Sequence, residues 1–121
     1  EGKEMIIAEQ EAADYDRDAS KLGLSFPLTA GVTASVNATV EAMGGNVRLA
    51  HYSAGLDNCK RDVQDAASGK LDCSYIEGMA CPNGCIDGPG AVGDFRITKV
   101  ALNKYAAAAP NKAVSDDKHT K

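Results

Sequence analysis

The chain has 121 residues, a 44% hydrophobic and 25% charged composition, and a formal net charge of −4. That length supports one domain at most. The acidic balance argues against a nucleic-acid partner, which would need a basic stripe to neutralise phosphates. No apolar run approaches the about 18 residues of a membrane span, and no basic-apolar-small signal segment is present. The chain begins at Glu1 rather than Met and reads as a segment of a longer protein. With no Trp and two Phe, a core is expected to rest on Ala, Val, Ile and Leu.

Residues 1–24 carry the least signal. Glu4 to Gln10 fits a short strand or helix. Asp14, Asp16 and Asp18 invite comparison with a calcium loop, which requires Gly at the sixth position and Glu at the twelfth. Counted from Asp14, those positions hold Ala19 and Ser25, so a solvated loop is the better reading.

Val32, Val36, Val40 and Met43 recur at helical spacing, with Thr29 as the candidate cap and Gly44-Gly45 as the stop. The β-branched content makes this helix depend on packing rather than propensity. Asn46 to Tyr52 reads as a strand, with Val47, Leu49 and His51 alternating against Arg48, Ala50 and Tyr52. A helix capped by Asp57 or Asn58 then runs to about Ala67 and ends at Ser68-Gly69. Leu71 to Ile76 reads as a second strand, and a short return predicts a right-handed parallel crossover. Glycines and prolines bar regular structure from Gly78 to Gly93, and Phe95 to Ala109 fits a last helix. The expected fold is α/β: a small parallel or mixed sheet, a strand–helix–strand crossover and flanking helices. Residues 1–109 form the partial domain and 110–121 a disordered tail.

Four cysteines punctuate the second half: Cys59, Cys73, Cys81 and Cys85. Cys81 and Cys85 flank Pro82-Asn83-Gly84, on the loop leaving the carboxyl end of the second strand, where open α/β sheets place ligands. Small turn-prone residues let two sulfurs face the same way and let backbone amides approach a cluster's sulfides. Spacing alone leaves a redox disulfide, or two buried thiols without a role, as alternatives. Cys59 and Cys73 are read as small hydrophobes, on the helix and the strand, and His51 as a strand-end histidine. Glu77 and Asp87 flank the cysteines, with solvated or capping roles set against proton relay. Lys99 and Lys104 belong to a solvated face, and His119 is given no role.

The stretch Tyr75-Ile76-Glu77-Gly78-Met79-Ala80-Cys81-Pro82-Asn83-Gly84-Cys85-Ile86-Asp87-Gly88-Pro89-Gly90 resembles the third cysteine motif of FeFe (iron-only) hydrogenase large subunits, M-x-C-P-x-G-C-x-x-G-G-G-Q. Upstream, Phe26 to Val32 resembles the family's Gly-Val segment opening a helix. Ala54 to Lys60 resembles its turn into the crossover helix, and Gly69 to Asp72 its Gly-Lys closure. The similarity runs from about Asp18 to Val92.

The resemblance implies that Cys81 ligates the 4Fe–4S cubane of an H-cluster and that Cys85 bridges it to the diiron subcluster, with Met79 packed near that unit. It implies hydrogen oxidation, proton reduction or hydrogen sensing in a cytoplasmic protein. The partners implied are the remainder of the parent chain and a ferredoxin-like electron donor or signalling domain. The family's other two cysteine motifs are not in this chain, so the isolated segment is expected to be metal-free and inactive, with a mobile loop from Gly78 to Gly93. Gly78 and Pro89-Gly90-Ala91 depart from the catalytic pattern and resemble the divergent, sensory branch. The alternative is a noncatalytic relative that binds a simple 4Fe–4S cluster, or no metal, in signalling or cluster assembly.

Overall fold

In a computed structural model of the chain, residues 19–46, 50–113 and 116 are described. The expectations for Glu4–Gln10, Glu11–Asp18, Val47–Leu49 and His119 fall outside them. Six elements follow in order: α1 (Lys21–Leu24), α2 (Gly31–Ala42), β1 (Ala50–Ala54), α3 (Leu56–Ala67), β2 (Tyr75–Met79) and α4 (Phe95–Ala107). β1 and β2 pair in parallel, from Ala50 opposite Tyr75 to Ala54 opposite Met79. The α/β fold and the parallel crossover are therefore as the sequence predicts.

Side chains alternate between the faces of a strand, and the contacts of β2 sort the helices accordingly. Glu77 reaches Thr33 of α2, while a Cβ on Gly78 would lie 3.4 Å from the Cys59 sulfur of α3. On β1, Ser53, the partner of Gly78, bonds Asp62 of α3. The two helices thus cover opposite faces of a two-stranded ribbon.

Boundaries shift from the expected ones for local reasons. Helix α3 starts at Leu56, behind Gly55, rather than from an Asp57 or Asn58 cap, and the Asn58 amide donates to the Ala54 carbonyl instead, at 2.7 Å. Its stop at Ser68-Gly69 is as expected, with Gly69 at φ +74°. The Lys70 and Leu71 amides then fold back onto the Asp65 carbonyl, at 2.8 and 3.1 Å. That return occupies the residues predicted to begin the strand, so β2 starts at Tyr75 and Cys73 lies in the connection. Gly78 belongs to β2 rather than to the loop. In α4, the Asp94 side chain accepts from the Arg96 and Ile97 amides at 2.8 and 3.4 Å, a side-chain cap.

Thr29 does not cap α2. Ala30 precedes that helix in the left-handed region, at φ 67°, and offers no side-chain cap. The C-terminus ends as the glycine pair predicts: Gly44 takes φ +73° and the Gly45 amide reaches the Val40 carbonyl at 2.9 Å. The valine stripe of α2 is half-buried and Met43 is exposed, whereas Gly31, Thr33 and Ser35 are buried. The expected aliphatic core is thus absent among the described residues, where Ala106 is the buried hydrophobic residue. Ser20, Thr33, Ser35, Ser53, Asp62 and Glu77 are the buried polar ones. Val32, Val36 and Val40 instead line an open apolar groove with Phe26. Just past Pro110, where a loose tail is expected, the Asn111 and Lys112 carbonyls accept from the Lys21 and Leu22 amides at 2.8 and 3.1 Å.

Candidate functional site: the cysteine turn

Strand β2 delivers the chain to the turn through Met79, whose carbonyl accepts the Gly55 amide at 2.8 Å. The turn closes on itself where the Gly84 amide donates to the Cys81 carbonyl at 3.0 Å. A short 3-10 turn, Cys85–Asp87, follows, with the Gly88 amide reaching the Cys85 carbonyl at 3.2 Å. Cys81 is half-buried, Cys85 is exposed, and all four cysteines are free thiols. Gly88 lies against the Cys81 sulfur, where a Cβ would make ordinary contact at 3.5 Å.

Gly84 is the pivot. It is buried, sits at φ +86° and forms an antiparallel bridge with Leu28. A Cβ on it would fall 2.2 Å from the Pro27 carbonyl oxygen and 2.9 Å from the Thr29 amide nitrogen. Only glycine combines that backbone conformation with that approach. One residue on, the Thr29 hydroxyl donates to the Pro82 carbonyl at 3.0 Å. The loop expected to be mobile is therefore pinned at its centre. On its other side the Cys85–Asp87 turn packs against α4, and the Asn83 amide donates to Asp87 at 2.8 Å.

Glu77 anchors the base of the turn. It is 5% exposed, and one carboxylate oxygen accepts the Thr33 amide at 2.7 Å and the Thr33 hydroxyl at 2.5 Å, while the other oxygen has no partner among the described residues. A carboxylate against free amides of a helix's first turn is favoured by the helix dipole as well. This is the capping role, supplied to α2 from a strand. Burial pushes the pKa of the nearby Tyr75 hydroxyl above its ordinary value, and the negative charge of Glu77 raises it further.

A second polar cluster lies on the α3 face. Asp62, 8% exposed, accepts from Ser53, from His51 Nε2 at 2.8 Å and from Arg61 Nε at 3.2 Å. The Ser53 hydrogen bond, then that of His51, holds its carboxyl down at about 2. His51 is thus a structural partner, tying β1 to α3. Lys99 extends over the Phe95 ring, 5.7 Å from its centroid.

Cys81 and Cys85 are brought together on one clamped turn, and Met79 ends the strand beside them. Cys59 sits beneath the strand, its sulfur 3.6 Å from the Ser53 and Met79 carbonyls. Among the described residues no three His, Cys, Asp or Glu side chains gather in a metal-holding group. A cubane cluster takes four ligands, and this turn carries two thiols of the kind that hold one.

A parallel strand–helix–strand unit that presents two thiols on a glycine-pivoted turn defines a cysteine-bearing α/β module. Residues 3–89 match the family described as iron only hydrogenase large subunit, C-terminal domain, and the chain belongs to that family. It is 31% identical over 90 residues to the cytosolic Fe-S cluster assembly factor NAR1 of Debaryomyces hansenii, covering 74% of this chain and 16% of that protein. A shorter stretch of 32 residues is 56% identical to the NAR1 of Meyerozyma guilliermondii, covering 26% of this chain and 6% of that protein. The chain spans about a sixth of the length of the first of these relatives. Helix α4 lies beyond the residues that match the family. No helix of the described residues is long and apolar enough to cross a membrane.

The threonine and glycine contacts of the turn were missed from sequence. The signal available for one of them was Gly84 itself, a glycine inside a C-P-x-G-C turn, where positive φ is the usual reason for glycine.

Proposed function

We propose that this chain is the ligand-bearing turn of a cytoplasmic iron–sulfur protein, in which Cys81 and Cys85 hold two corners of a 4Fe–4S cluster, and that the protein serves iron–sulfur cluster assembly. The observation that carries the reading is the clamp on the turn. Gly84 is wedged against Pro27 and Leu28, and Thr29 holds Pro82, so the short backbone arc that carries both cysteines is held in place. Preorganised thiolates on a rigid support are what a cluster site requires. The assembly role is supported by what both curated relatives are named for. It is supported also by Pro89-Gly90-Ala91, which departs from the Gly-Gly-Gln of catalytic family members. The remaining two ligands come from the rest of the protein. A bound cluster supplies one-electron chemistry or iron and sulfide for transfer; the chain's own residues hold and orient it.

Hydrogen turnover or sensing through a full H-cluster is the second reading, favoured by Met79 and Cys85 standing where the family places residues next to a diiron unit. A ferredoxin-like donor or signalling domain would then be the partner. The experiment is anaerobic reconstitution of the whole protein with iron and sulfide, then with a synthetic diiron complex. Four irons per protein and a cubane EPR signal are expected, with no CO or CN infrared bands. Infrared bands together with hydrogen/deuterium exchange would replace the assembly role with the second reading. A protein that takes up no iron would overturn both.

A further inference from the structure

The segment Leu28–Thr33 touches the cysteine-bearing strand and turn at three successive points. Leu28 bridges Gly84, the Thr29 hydroxyl donates to the Pro82 carbonyl, and Thr33 gives its amide and hydroxyl to Glu77. Between the last two, Gly31 packs so tightly that a Cβ would lie 2.0 Å from the Ser25 carbonyl oxygen, which fixes α2 against α1. The segment cannot slide along the turn, because one end is tied to Gly84 in the turn and the other to Glu77 on β2. Nothing in the ligand pair requires these contacts; Cys81 and Cys85 would be joined by the same backbone without them.

We infer that Thr29 is a positioning residue for the cluster ligands, acting through the Pro82 carbonyl, with Leu28–Thr33 as the splint that holds the two sulfurs in their binding arrangement. This rests on the reading that Cys81 and Cys85 bind a cluster. The carbonyl held by Thr29 belongs to the Pro82–Asn83 peptide, the second peptide after the first thiol and inside the Cys81–Cys85 arc. With that hydrogen bond present, the Cys81–Cys85 arc is restrained on the side facing Thr29. Without it, one restraint fewer opposes rotation of that peptide. The ligands remain, so a cluster still forms, but its thiolates are lost more readily and its hydrogen-bonding surroundings vary more.

The test uses the whole protein loaded anaerobically with iron and sulfide, as wild type, Thr29→Val and Thr29→Ser. The readouts are the rate of iron loss to a chelator, the width of the cluster's EPR lines after reduction with dithionite and the urea midpoint of the apoprotein. Thr29→Val keeps the shape and removes the hydroxyl. It is expected to release iron about fivefold faster, the factor equivalent to ~1 kcal/mol for one neutral hydrogen bond, and to broaden the lines. Thr29→Ser keeps the donor and is expected to match wild type. Equal release rates for all three would overturn the inference while leaving the cluster itself in place. Faster release from Thr29→Val that only follows a lowered urea midpoint would also overturn it, because the effect would then be global. A wild-type protein that binds no iron would fail the underlying reading instead, so the two failures are distinct.

Discussion

Thr33 gives both of its donors to a single carboxylate oxygen of Glu77, 44 residues away in sequence, and so a strand residue caps a helix that has no cap of its own. The arrangement joins the two parts of the molecule that matter most to the turn. Glu77 lies on the strand that leads to Cys81, and Thr33 on the helix that follows the splint.

Removing this pair is expected to be costly. Glu77→Ala leaves the first turn of α2 without its acceptor in a buried place, and hydrogen bonds to charged groups contribute about 1.5–3 kcal/mol each. Thr33→Val removes the hydroxyl alone and should cost about 1.5–3 kcal/mol, one such hydrogen bond. Urea denaturation of the whole protein measures both, and equal midpoints for Glu77→Ala and wild type would show that the cap carries no stability.

Two glycines of the same loop should respond oppositely to alanine. Gly84→Ala places a methyl group 2.2 Å from the Pro27 oxygen at φ +86°. Left-handed backbone alone costs a non-glycine residue about 1 kcal/mol or more, and the overlap adds to it. Gly90→Ala meets nothing within 4 Å and should be within about 0.5 kcal/mol of wild type. The urea midpoints of the two variants give the comparison.

Acid should loosen β1 from α3. The carboxyl of Asp62 is lowered from 3.8 to about 2, first by Ser53 and then by His51. A carboxyl with a depressed folded value contributes stability above its unfolded value, and that contribution fades as pH falls from 3.8 through about 2. Asp62→Asn is expected to be less stable at neutral pH and to show a flatter acid limb. Denaturation midpoints followed from neutral to acid pH measure this, and parallel curves would assign the acid limb to other groups.

The cysteines divide by position. In the whole protein, Cys81→Ala and Cys85→Ala should each abolish a stable cluster. Cys59→Ser, beneath the strand, and Cys73→Ser, in the connection, should keep it. Iron content after anaerobic desalting is the measurement, and retention of four irons by Cys85→Ala would remove that residue from the ligand set.

The parallel crossover was legible because its punctuation is local: Ser68-Gly69 and the alternation around His51 mark where a strand must give way to a helix or a turn. The cysteine turn was legible because its spacing and glycines carry chemistry in one short window. What could not be read lies in contacts across long separations. Thr29 has the right chemistry for a helix cap, yet its hydroxyl is taken by Pro82, 53 residues on. Strand β2 begins at Tyr75 rather than Leu71, because its start is set by how α3 returns through Lys70 and Leu71 and by pairing with β1. The valines of α2 have helical periodicity, but the sheet selects the small polar face of that helix, where Glu77 needs Thr33.

The span between Thr29 and Pro82 also sets an order of events in folding. Two segments 53 residues apart must meet before the arc carrying the thiols is closed, and contacts of such separation incur their loop entropy before they return any stability. The crossover from β1 to β2 closes a shorter loop and should form first. During refolding the half-buried Cys81 should therefore be alkylated faster after the ribbon has paired than once the turn has closed on it, and metal that arrives early meets a flexible pair of thiols. On the proposed function, cluster insertion would follow closure of the chain, and a pulse of alkylating reagent at successive refolding times would reveal the interval.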